Sequence, residues 1–206
     1  MFANRLKNFR KSIEDVRQGN ESSLEAIRKE LTSIPYIIDL EIPDEISTLQ
    51  SLEHLNLFNN SIKNFFNLIT LRALYLSDND FEKLPSAIGL LINLEILALR
   101  DNDLLMLPPE IGRLTRLKEL HLQGNRLSVL PPELGALDLC GPKQVAKLQG
   151  NPWVPPIDNQ LQVNVSHVFD YIRSETYRFL FDRQQSSNIP PPPIPDKSKK
   201  LSRKSR

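Results

Sequence analysis

The sequence predicts an α/β solenoid, a curved stack of coils in which short parallel strands line the concave face. Three observations lead to this fold class. Leucine is concentrated, because 26 of the 34 leucines lie between Leu49 and Leu139. The leucines follow one template, L-x-x-L-x-L-x-x-N-x-L, which occurs four times. The last three copies recur at one constant interval, as is typical of a leucine-rich repeat.

The chemistry of the template explains its residue types. The L-x-L segment is a short strand, so the leucines point inward while the residue between them faces outward. A single copy cannot bury its leucines, and each coil must therefore stack on its neighbours. We expect the asparagine amides to pair with backbone groups inside the stack, because an unpaired buried group costs about 1–3 kcal/mol. The structural repeat asparagines are Asn60, Asn79, Asn102, Asn125 and Asn151.

The repeats are predicted to occupy residues 36–151, with one irregular coil. The interval from Asn60 to Leu71 is clearly shorter than the corresponding interval from Asn79 to Leu94. We therefore expect a shortened, strained coil at Ser61–Thr70. The last three copies end in a Leu-Pro pair, which suits the convex side, where the chain needs no ladder donor.

Residues 1–35 are expected to form an N-terminal helical cap, because an open solenoid end exposes its core. Apolar residues recur at helical spacing from Phe2 to Val16. Ser22 and Glu25 have the spacing of a capping box for a second helix. The favoured interpretation is that this apolar stripe packs on the first coil. A partner helix or a membrane surface is the alternative.

Residues 152–184 are expected to form a C-terminal cap with a helix. An incomplete coil at Lys143–Gly150 precedes Trp153, which we expect to plug the end of the array. A helix is predicted from about Ser166, with one apolar side formed by Val165, Val168, Ile172 and Phe179.

The net charge of +1 conceals an acidic body and a basic end. Residues 34–182 carry 12 Lys/Arg against 19 Asp/Glu, and residues 183–206 carry 7 against 1. Residues 185–206 are predicted to be a disordered Pro-rich and basic tail. Its segment from Ile189 to Pro195 predicts a polyproline helix, either a docking motif for SH3 or WW modules or a stiff spacer. Lys197–Arg206 suits anionic lipid, nucleic acid or an import receptor, or it is simply solvated.

Several classes of function lack their usual sequence features. Cys140 is the single cysteine, so no internal disulfide or Cys-rich zinc site is expected. The seven glycines form no nucleotide-binding loop, and the three histidines are far apart in the sequence. The N-terminus has no apolar stretch of a signal peptide, and no run is long enough to span a bilayer. We expect a cytoplasmic protein that is not an enzyme, with no catalytic residues, no metal site and no cofactor.

The outward positions of the strands predict a protein-binding surface on the concave face. Equivalent outward positions of successive copies form columns on this face. One column is made of the residues between the strand leucines, and the next exposed column includes Ser77. Aromatic and arginine side chains there belong to the types enriched in binding hot spots, and the flanking aspartates favour a partner of basic character. The alternative is that the columns are ordinary polar surface. The candidate partner-binding residues are Phe58, Tyr75, Asp78, Arg100, Asp101, His121 and Gln123.

With these residues laid out, the chain resembles the Ras suppressor protein family of leucine-rich repeat proteins over about residues 40–206. The resemblance rests on Thr70–Phe81, on Gly124–Gly135, on Asn151–Val154, on Val165–Tyr177 and on the Asp196–Lys200 segment. The shortened coil at Ser61–Thr70 departs from the family pattern, which has about two more repeats at this point.

The resemblance implies a non-catalytic scaffold that binds the last LIM domain of the adaptor PINCH. Through PINCH it would join integrin-linked kinase and parvin at cell–matrix adhesions and restrain Ras-dependent signalling. We expect a monomer with no nucleic-acid partner and no transmembrane segment. The alternative class is a regulatory leucine-rich repeat subunit of a phosphatase or GTPase pathway, directed to the nucleus by its basic tail.

Overall fold

The structure is a computed structural model that describes residues 23–25, 54–56 and 70–186. Short strands that succeed one another along the chain form one parallel sheet with six strands among these residues, in sequence order. The strands are β1 (Ser23–Glu25), β2 (His54–Asn56), β3 (Ala73–Tyr75), β4 (Ile96–Ala98), β5 (Glu119–His121) and β6 (Val145–Lys147).

The register of the sheet follows the repeat. Leu74 lies opposite Leu97, which lies opposite Leu120, and all three side chains are fully buried. In the incomplete last coil, Ala146 takes the same place beside Leu120. Side chains alternate along each strand, so the neighbours of these residues face away from the leucine core. The curved leucine-rich repeat solenoid is thereby confirmed.

On the convex side, the described residues form three short 3₁₀ helices, Ser86–Leu90, Pro109–Arg113 and Pro132–Ala136. Each follows a proline in extended conformation, namely Pro85, Pro108 or Pro131. Proline fixes φ and has no backbone N–H donor, and no strand pairing requires such a donor at this point. Each helix places one apolar side chain, Ile88, Ile111 or Leu134, in the core.

Between the last coil and residue 186, where the described part of the chain ends, lie three helices: α1 (Pro155–Val163), α2 (Val165–Ile172) and α3 (Glu175–Ser186). Trp153, which is 8% exposed, joins the leucine core, and its indole Nε1 donates to the carbonyl of Leu148 at 2.9 Å. Arg173 Nε donates to the carbonyl of Gly135 at 2.7 Å and so ties the end of α2 to the last 3₁₀ helix. The helices thus cover the end of the core.

The single apolar side expected for a helix from Ser166 is partly wrong. Val168 and Ile172 are fully buried, but Phe179 is 76% exposed. The chain leaves helical geometry between α2 and α3, where the Ser174 hydroxyl accepts from the Tyr177 amide at 3.2 Å. The turn starts a new helix whose inward residue is Tyr177, so Phe179 faces outward.

The helix expected from the capping box at Ser22 and Glu25 is also wrong where the structure describes it. Ser23–Glu25 is strand β1, parallel to β2, with Leu24 opposite Leu55. Pairing with a neighbouring coil provides hydrogen-bond partners for the backbone of these residues. The capping-box rule considers only nearby residues and does not take this long-range pairing into account. The described residues do not include the rest of residues 1–35, residues 61–69 of the predicted short coil at Ser61–Thr70, or residues 187–206. The domain boundaries remain predictions.

Over the residues that the structure describes, none of the helices has the length and apolarity needed to cross a bilayer.

Candidate protein-binding face

The concave face is the side of the sheet formed by the strand residues that alternate with the buried leucines. Its central column runs through Tyr75, Ala98, His121 and Lys147, which are opposite one another in the register. A parallel column, on the same face and two residues earlier, runs through Ala73, Ile96, Glu119 and Val145. The side chains of both columns are therefore directed away from the leucine core.

Tyr75 and His121 project on either side of a short side chain. Both residues are half-buried, whereas Ala98 between them is only 8% exposed. The His121 ring is oriented by Glu119, since its Nε2 lies 3.2 Å from Glu119 Oε2. The central column therefore has two ring-bearing positions separated by a low one.

The next column along the chain contains Arg100 and Gln123, two of the predicted partner-binding residues. Arg100 is exposed, and its Nε lies 3.3 Å from Asp101 Oδ2. Gln123 is half-buried, and its Oε1 has no hydrogen-bond partner among the described residues. Ser77 was expected to be exposed in this column but is only 7% exposed, because a serine side chain projects little beyond the backbone.

Asp78 and Asp101 have a structural reason for their residue type. Their φ angles are 58° and 60°, and the equivalent Gly124 and Gly150 both have φ of 71°. This left-handed conformation favours Gly, Asn and Asp over other residues. Asp101 also packs over the next coil, because a Cβ placed on Gly124 would overlap its Oδ1. Backbone geometry therefore accounts for the choice of aspartate at both positions, independently of any protein that the face binds.

A charged ladder beside the strands was not anticipated from the sequence. Glu95 accepts from Arg72 of the preceding coil at 3.1 Å and from Lys118 of the following coil at 2.5 Å. The hydrogen bond from Lys118, followed by the charges of Lys118 and Arg72, holds the pKa of Glu95 below its ordinary value. Successive members of the ladder are 23 positions apart. The repeat period could therefore have revealed them.

The repeat asparagines link coils to one another. Asn102 Nδ2 donates to the carbonyls of Leu76 and Leu99 at 2.9 and 3.0 Å, and its Oδ1 accepts from the Phe81 amide at 3.2 Å. Asn125 repeats this pattern one coil later, and Asn151 repeats it at the end of the array. Asn79 donates to the carbonyls of Leu76 and Ser77.

The described residues thus bring Tyr75, Arg100, His121 and Gln123 onto one surface and place Asp78 and Asp101 along its edge. Phe58 and Asn60 lie outside the described residues. Groups of three or more potential metal ligands are absent from the described part of the chain. Cys140 is an exposed residue, and partial burial raises the pKa of its thiol, which favours the less nucleophilic protonated form.

Comparison with known proteins gives matches to leucine-rich repeat proteins. Residues 57–139 match the family model of a leucine-rich repeat region. The chain is 72% identical over 142 residues to Ras suppressor protein 1 of Homo sapiens, an alignment that covers 68% of this chain and 51% of that protein. Identity to Ras suppressor protein 1 of Bos taurus is 71% over 142 residues, with the same coverage. The chain thus spans about half the length of these curated relatives.

A solved structure gives the same fold. The leucine-rich repeat protein LIC12759 of Leptospira interrogans superimposes with a TM-score of 0.52 at 35% identity, covering 61% of this chain and 32% of that one. The resemblance to the Ras suppressor proteins and the solenoid fold are both confirmed by these matches.

Proposed function

Because this chain is a leucine-rich repeat protein related to Ras suppressor protein 1, we propose that it is a non-catalytic scaffold that binds a protein partner through its concave face. One observation carries the proposal. Tyr75, Ala98, His121 and Lys147 form an in-register column of outward side chains on a sheet whose opposite side is the leucine core. Solenoids of this kind use such surfaces to bind other proteins.

The proposed partner is the last LIM domain of the adaptor PINCH. The resemblance to the Ras suppressor protein family implies this partner. Through it the chain would reach integrin-linked kinase and parvin at cytoplasmic cell–matrix adhesions and restrain Ras-dependent signalling. A standard interface buries roughly 1,600 Å² in total, so a face of few coils would be used over most of its length.

Within the face, we propose that Tyr75 and Arg100 contribute most to affinity. Tyrosine and arginine dominate interface hot spots because they combine a large contact area with polar groups. Arg100 keeps 47% of its side chain exposed despite the ion pair with Asp101. The proposed set of contacts also includes His121, Gln123, Asp78, Asp101 and Phe58.

The test is a calorimetric titration of the full chain with the isolated C-terminal LIM domain of PINCH. We expect binding at micromolar strength or better. Tyr75→Ala and Arg100→Ala should each weaken it by roughly 30-fold or more, the range of a hot spot.

The matched controls are Phe179→Ala and Arg183→Ala, which truncate an exposed aromatic residue and an exposed arginine on α3. These controls should bind like the parent chain, and all variants should melt at the parent temperature by circular dichroism. A folded parent chain that releases no binding heat would contradict the choice of partner. Equal affinity of Tyr75→Ala and Phe179→Ala would contradict the choice of face.

A second candidate function is favoured by the basic segment Lys197–Arg206, which has the composition of a nuclear import signal. In this case the chain would be a regulatory subunit of a phosphatase or GTPase pathway in the nucleus. Deletion of Lys197–Arg206 separates the two proposals. Adhesion localisation should survive the deletion, whereas nuclear accumulation should be lost.

A further inference from the structure

A groove lies between α3 and the last 3₁₀ helix, at the C-terminal end of the solenoid, and is named the terminal groove. Its volume is about 690 Å³. This is within the range of roughly 300–1,000 Å³ that is usual for binding clefts. One face of α3, the end of α2 and the 3₁₀ helix provide its lining, which includes Pro132, Glu133, Ala136, Ile172, Phe181 and Asp182.

The terminal groove continues across the convex side into a second hollow. This hollow has a volume of about 370 Å³ and lies against the preceding 3₁₀ helix, Pro109–Arg113. Glu133 and Ala136 line both spaces, so the two are contiguous. Gly112 permits the close approach of the coils there, because an added Cβ would lie 2.8 Å from the Cβ of Glu133. The combined shape suits an extended segment of chain better than a compact ligand.

Part of the lining is apolar and includes an aromatic ring. Phe181 is half-buried, and its ring centroid lies 6.3 Å from that of the fully buried Tyr177. Pro132, Ala136 and Ile172 add further apolar surface. Proline-rich segments bind grooves lined by aromatic side chains, because the polyproline helix is already rigid and little entropy is lost on binding. This lining therefore favours a proline-rich ligand.

Two arginines line the terminal groove, but each is paired with a nearby acidic residue. Arg173 Nη1 lies 3.0 Å from Asp170 Oδ1, and Arg178 Nη1 lies 3.3 Å from Glu175 Oε1. The Arg173 Nε donates to the carbonyl of Gly135 in addition. An anionic ligand would have to compete with these carboxylates for both cations.

The carboxylates of the groove, in contrast, have no cationic partner. Glu133 and Asp182 are exposed, and neither forms an ion pair among the described residues. In the second hollow, Glu110 has a buried carboxylate oxygen without a hydrogen-bond partner among the described residues, and Arg113 is the cation on the same lining. Three carboxylates against one unpaired cation favour a basic ligand.

The C-terminal part of the same chain has the matching composition. Residues 183–206 carry seven Lys/Arg against one Asp/Glu, and Ile189–Pro195 contains five prolines. The millimolar effective concentration of a segment on a short tether makes even a weak contact sufficient. A separate protein at micromolar concentration would need roughly a thousandfold higher intrinsic affinity to compete.

The length of the chain allows this segment to reach the groove. α3 ends at Ser186, and Asp182 lies about 6 Å back along the helix axis. The three steps from Ser186 to Ile189 span up to about 10 Å, which is enough for a reversal of the chain. As a polyproline helix, residues 189–195 would extend about 22 Å, or roughly two helix-to-helix spacings of 8–10 Å. The lysines after Pro195 would then lie towards the Glu133 and Glu110 side.

We infer that the terminal groove is the binding site for the basic, proline-rich segment of its own chain, residues 189–200. The proline run packs against Phe181, and the following lysines meet the unpaired carboxylates. In the docked state this segment is withheld from SH3 or WW modules and from import receptors. The terminal groove is separate from the concave face, so the inference does not depend on the partner proposed for that face.

The single cysteine provides a probe for the test. Cys140 is exposed and lies three residues after Leu137, whose carbonyl accepts from Arg173 Nη2 at 3.5 Å. A nitroxide attached to Cys140 of the full chain broadens the NMR signals of nearby amides. We expect strong broadening at the amides of Ile189 and Ile194, and much weaker broadening at Arg206. The absence of broadening at Ile194 would overturn the inference.

Two variants distinguish docking from mere tethering. Glu133→Lys should lower the docked-to-free ratio about threefold or more, because an attraction becomes a repulsion. Ala136→Phe, at an exposed alanine that lines both hollows, should obstruct the groove and also reduce the broadening. Glu82→Lys makes the same charge change at an exposed glutamate elsewhere and should have little effect. Equal broadening in the parent chain, Glu133→Lys and Ala136→Phe would overturn the inference.

A salt series on the parent chain tests the charges without any substitution. At about 1 M salt the Debye length falls to roughly 3 Å, so the broadening at Ile194 should decrease. Unchanged broadening would contradict the role of the carboxylates, even if the variants failed to fold.

A mixed sample tests whether the segment docks on its own chain. It combines isotope-labelled chain without nitroxide and unlabelled chain that carries the nitroxide. We expect no broadening of the Ile194 amide in this mixture. Broadening as strong as in the singly labelled sample would place the segment on a second copy and overturn the assignment to its own chain.

Discussion

The Tyr177 hydroxyl on α3 makes two hydrogen bonds to one residue of the repeat array, Leu130. It accepts from the Leu130 amide at 2.9 Å and donates to the Leu130 carbonyl at 2.5 Å. Both residues are fully buried. A single side chain thus satisfies both the donor and the acceptor of a buried backbone unit, and it fixes the terminal helices to the last full coil.

Replacement of Tyr177 by phenylalanine should therefore destabilise the chain. The Tyr177→Phe variant keeps the ring but removes the partner of two buried backbone groups, and each unpaired group costs about 1–3 kcal/mol. We expect a loss of at least ~2 kcal/mol in urea unfolding. Tyr171→Phe changes a half-buried tyrosine of the same region and serves as the control. Equal stability of the two variants would show that the Leu130 hydrogen bonds contribute little.

The same hydroxyl predicts an effect of alkaline pH. Burial raises the pKa of Tyr177, so the folded state favours the protonated phenol. The stability from this group is complete below the ordinary tyrosine pKa of about 10 and falls as the pH rises above that value. The difference between the parent chain and Tyr177→Phe should accordingly be constant across neutral pH and shrink above about pH 10. Urea unfolding of both chains across this range measures the trend.

The repeat asparagines should differ in importance according to their burial. Asn102 is 1% exposed, and Asn102→Ala removes its hydrogen bonds to two carbonyls and one amide. We expect a loss on the order of 3 kcal/mol. Asn151→Ala removes a similar set in a half-buried site, where water can replace part of it, and should cost about half as much. Thermal or urea unfolding of both variants measures the ranking, and a reversed order would contradict it.

Alanine substitutions at Gly124 and Gly150 distinguish the cost of backbone strain from the cost of steric overlap. Both have φ of 71°, so alanine at either position costs about 1–2 kcal/mol for the left-handed conformation. At Gly150 the nearest atom to an added Cβ is the Gly124 nitrogen at 3.3 Å, whereas an added Cβ at Gly124 would overlap Asp101 Oδ1. Gly124→Ala should therefore lower the unfolding free energy more than Gly150→Ala. In an Asp101→Gly background, which removes the Oδ1 and accepts the left-handed φ of residue 101, Gly124→Ala should cost no more than Gly150→Ala. If the excess persists in that background, steric overlap is not its cause.

Glu95 should stabilise the fold only while it is ionised. Its pKa is held below the ordinary value of 4.5 by the hydrogen bond from Lys118 and the nearby cations, so its stabilising effect is present above that value. The effect is lost as the pH falls through the lowered pKa. At neutral pH, Glu95→Gln should lower stability only modestly, since the pairs are largely exposed, and the loss should shrink with added salt. Urea unfolding from neutral pH to below pH 4.5 measures the first trend, and urea unfolding at neutral pH with and without added salt measures the second.

The control for this prediction is Glu82→Gln, which changes an exposed glutamate outside the ladder. At neutral pH it should leave stability nearly unchanged. A loss for Glu95→Gln that persisted unchanged well below pH 4.5 would indicate a packing effect in place of an ionic one.

The period of the sequence predicts the features of the fold that repeat. The spacing of the leucines sets the strand register, so the opposition of Leu74, Leu97 and Leu120 could be foreseen. The same period relates Glu95 to its two cations, which lie outside the L-x-L core of each repeat. Phe58 and the other partner contacts remain predictions, because a binding surface also depends on a second molecule.

Features that do not repeat along the described residues could not be derived from the period. The turn at Ser174, which separates α2 from α3 and turns Phe179 outward, depends on how the helices fit the last coil. Strand β1 at Ser23–Glu25 depends on its pairing with β2, which lies far beyond any local sequence window. The two hydrogen bonds between Tyr177 and Leu130 join residues 47 positions apart, and nothing in the local sequence of either residue indicates them.

The link from Leu130 to Tyr177 also sets an order of events during translation. When Leu130 leaves the ribosome, 47 further residues must be synthesised before its amide and carbonyl find their partner. At about 5–20 residues per second, this interval is roughly 2–9 s. During that time the coils can stack from the N-terminal side, but the growing end of the leucine core stays open to solvent and to chaperones. A nascent chain that stalls before residue 177 would keep that exposed end.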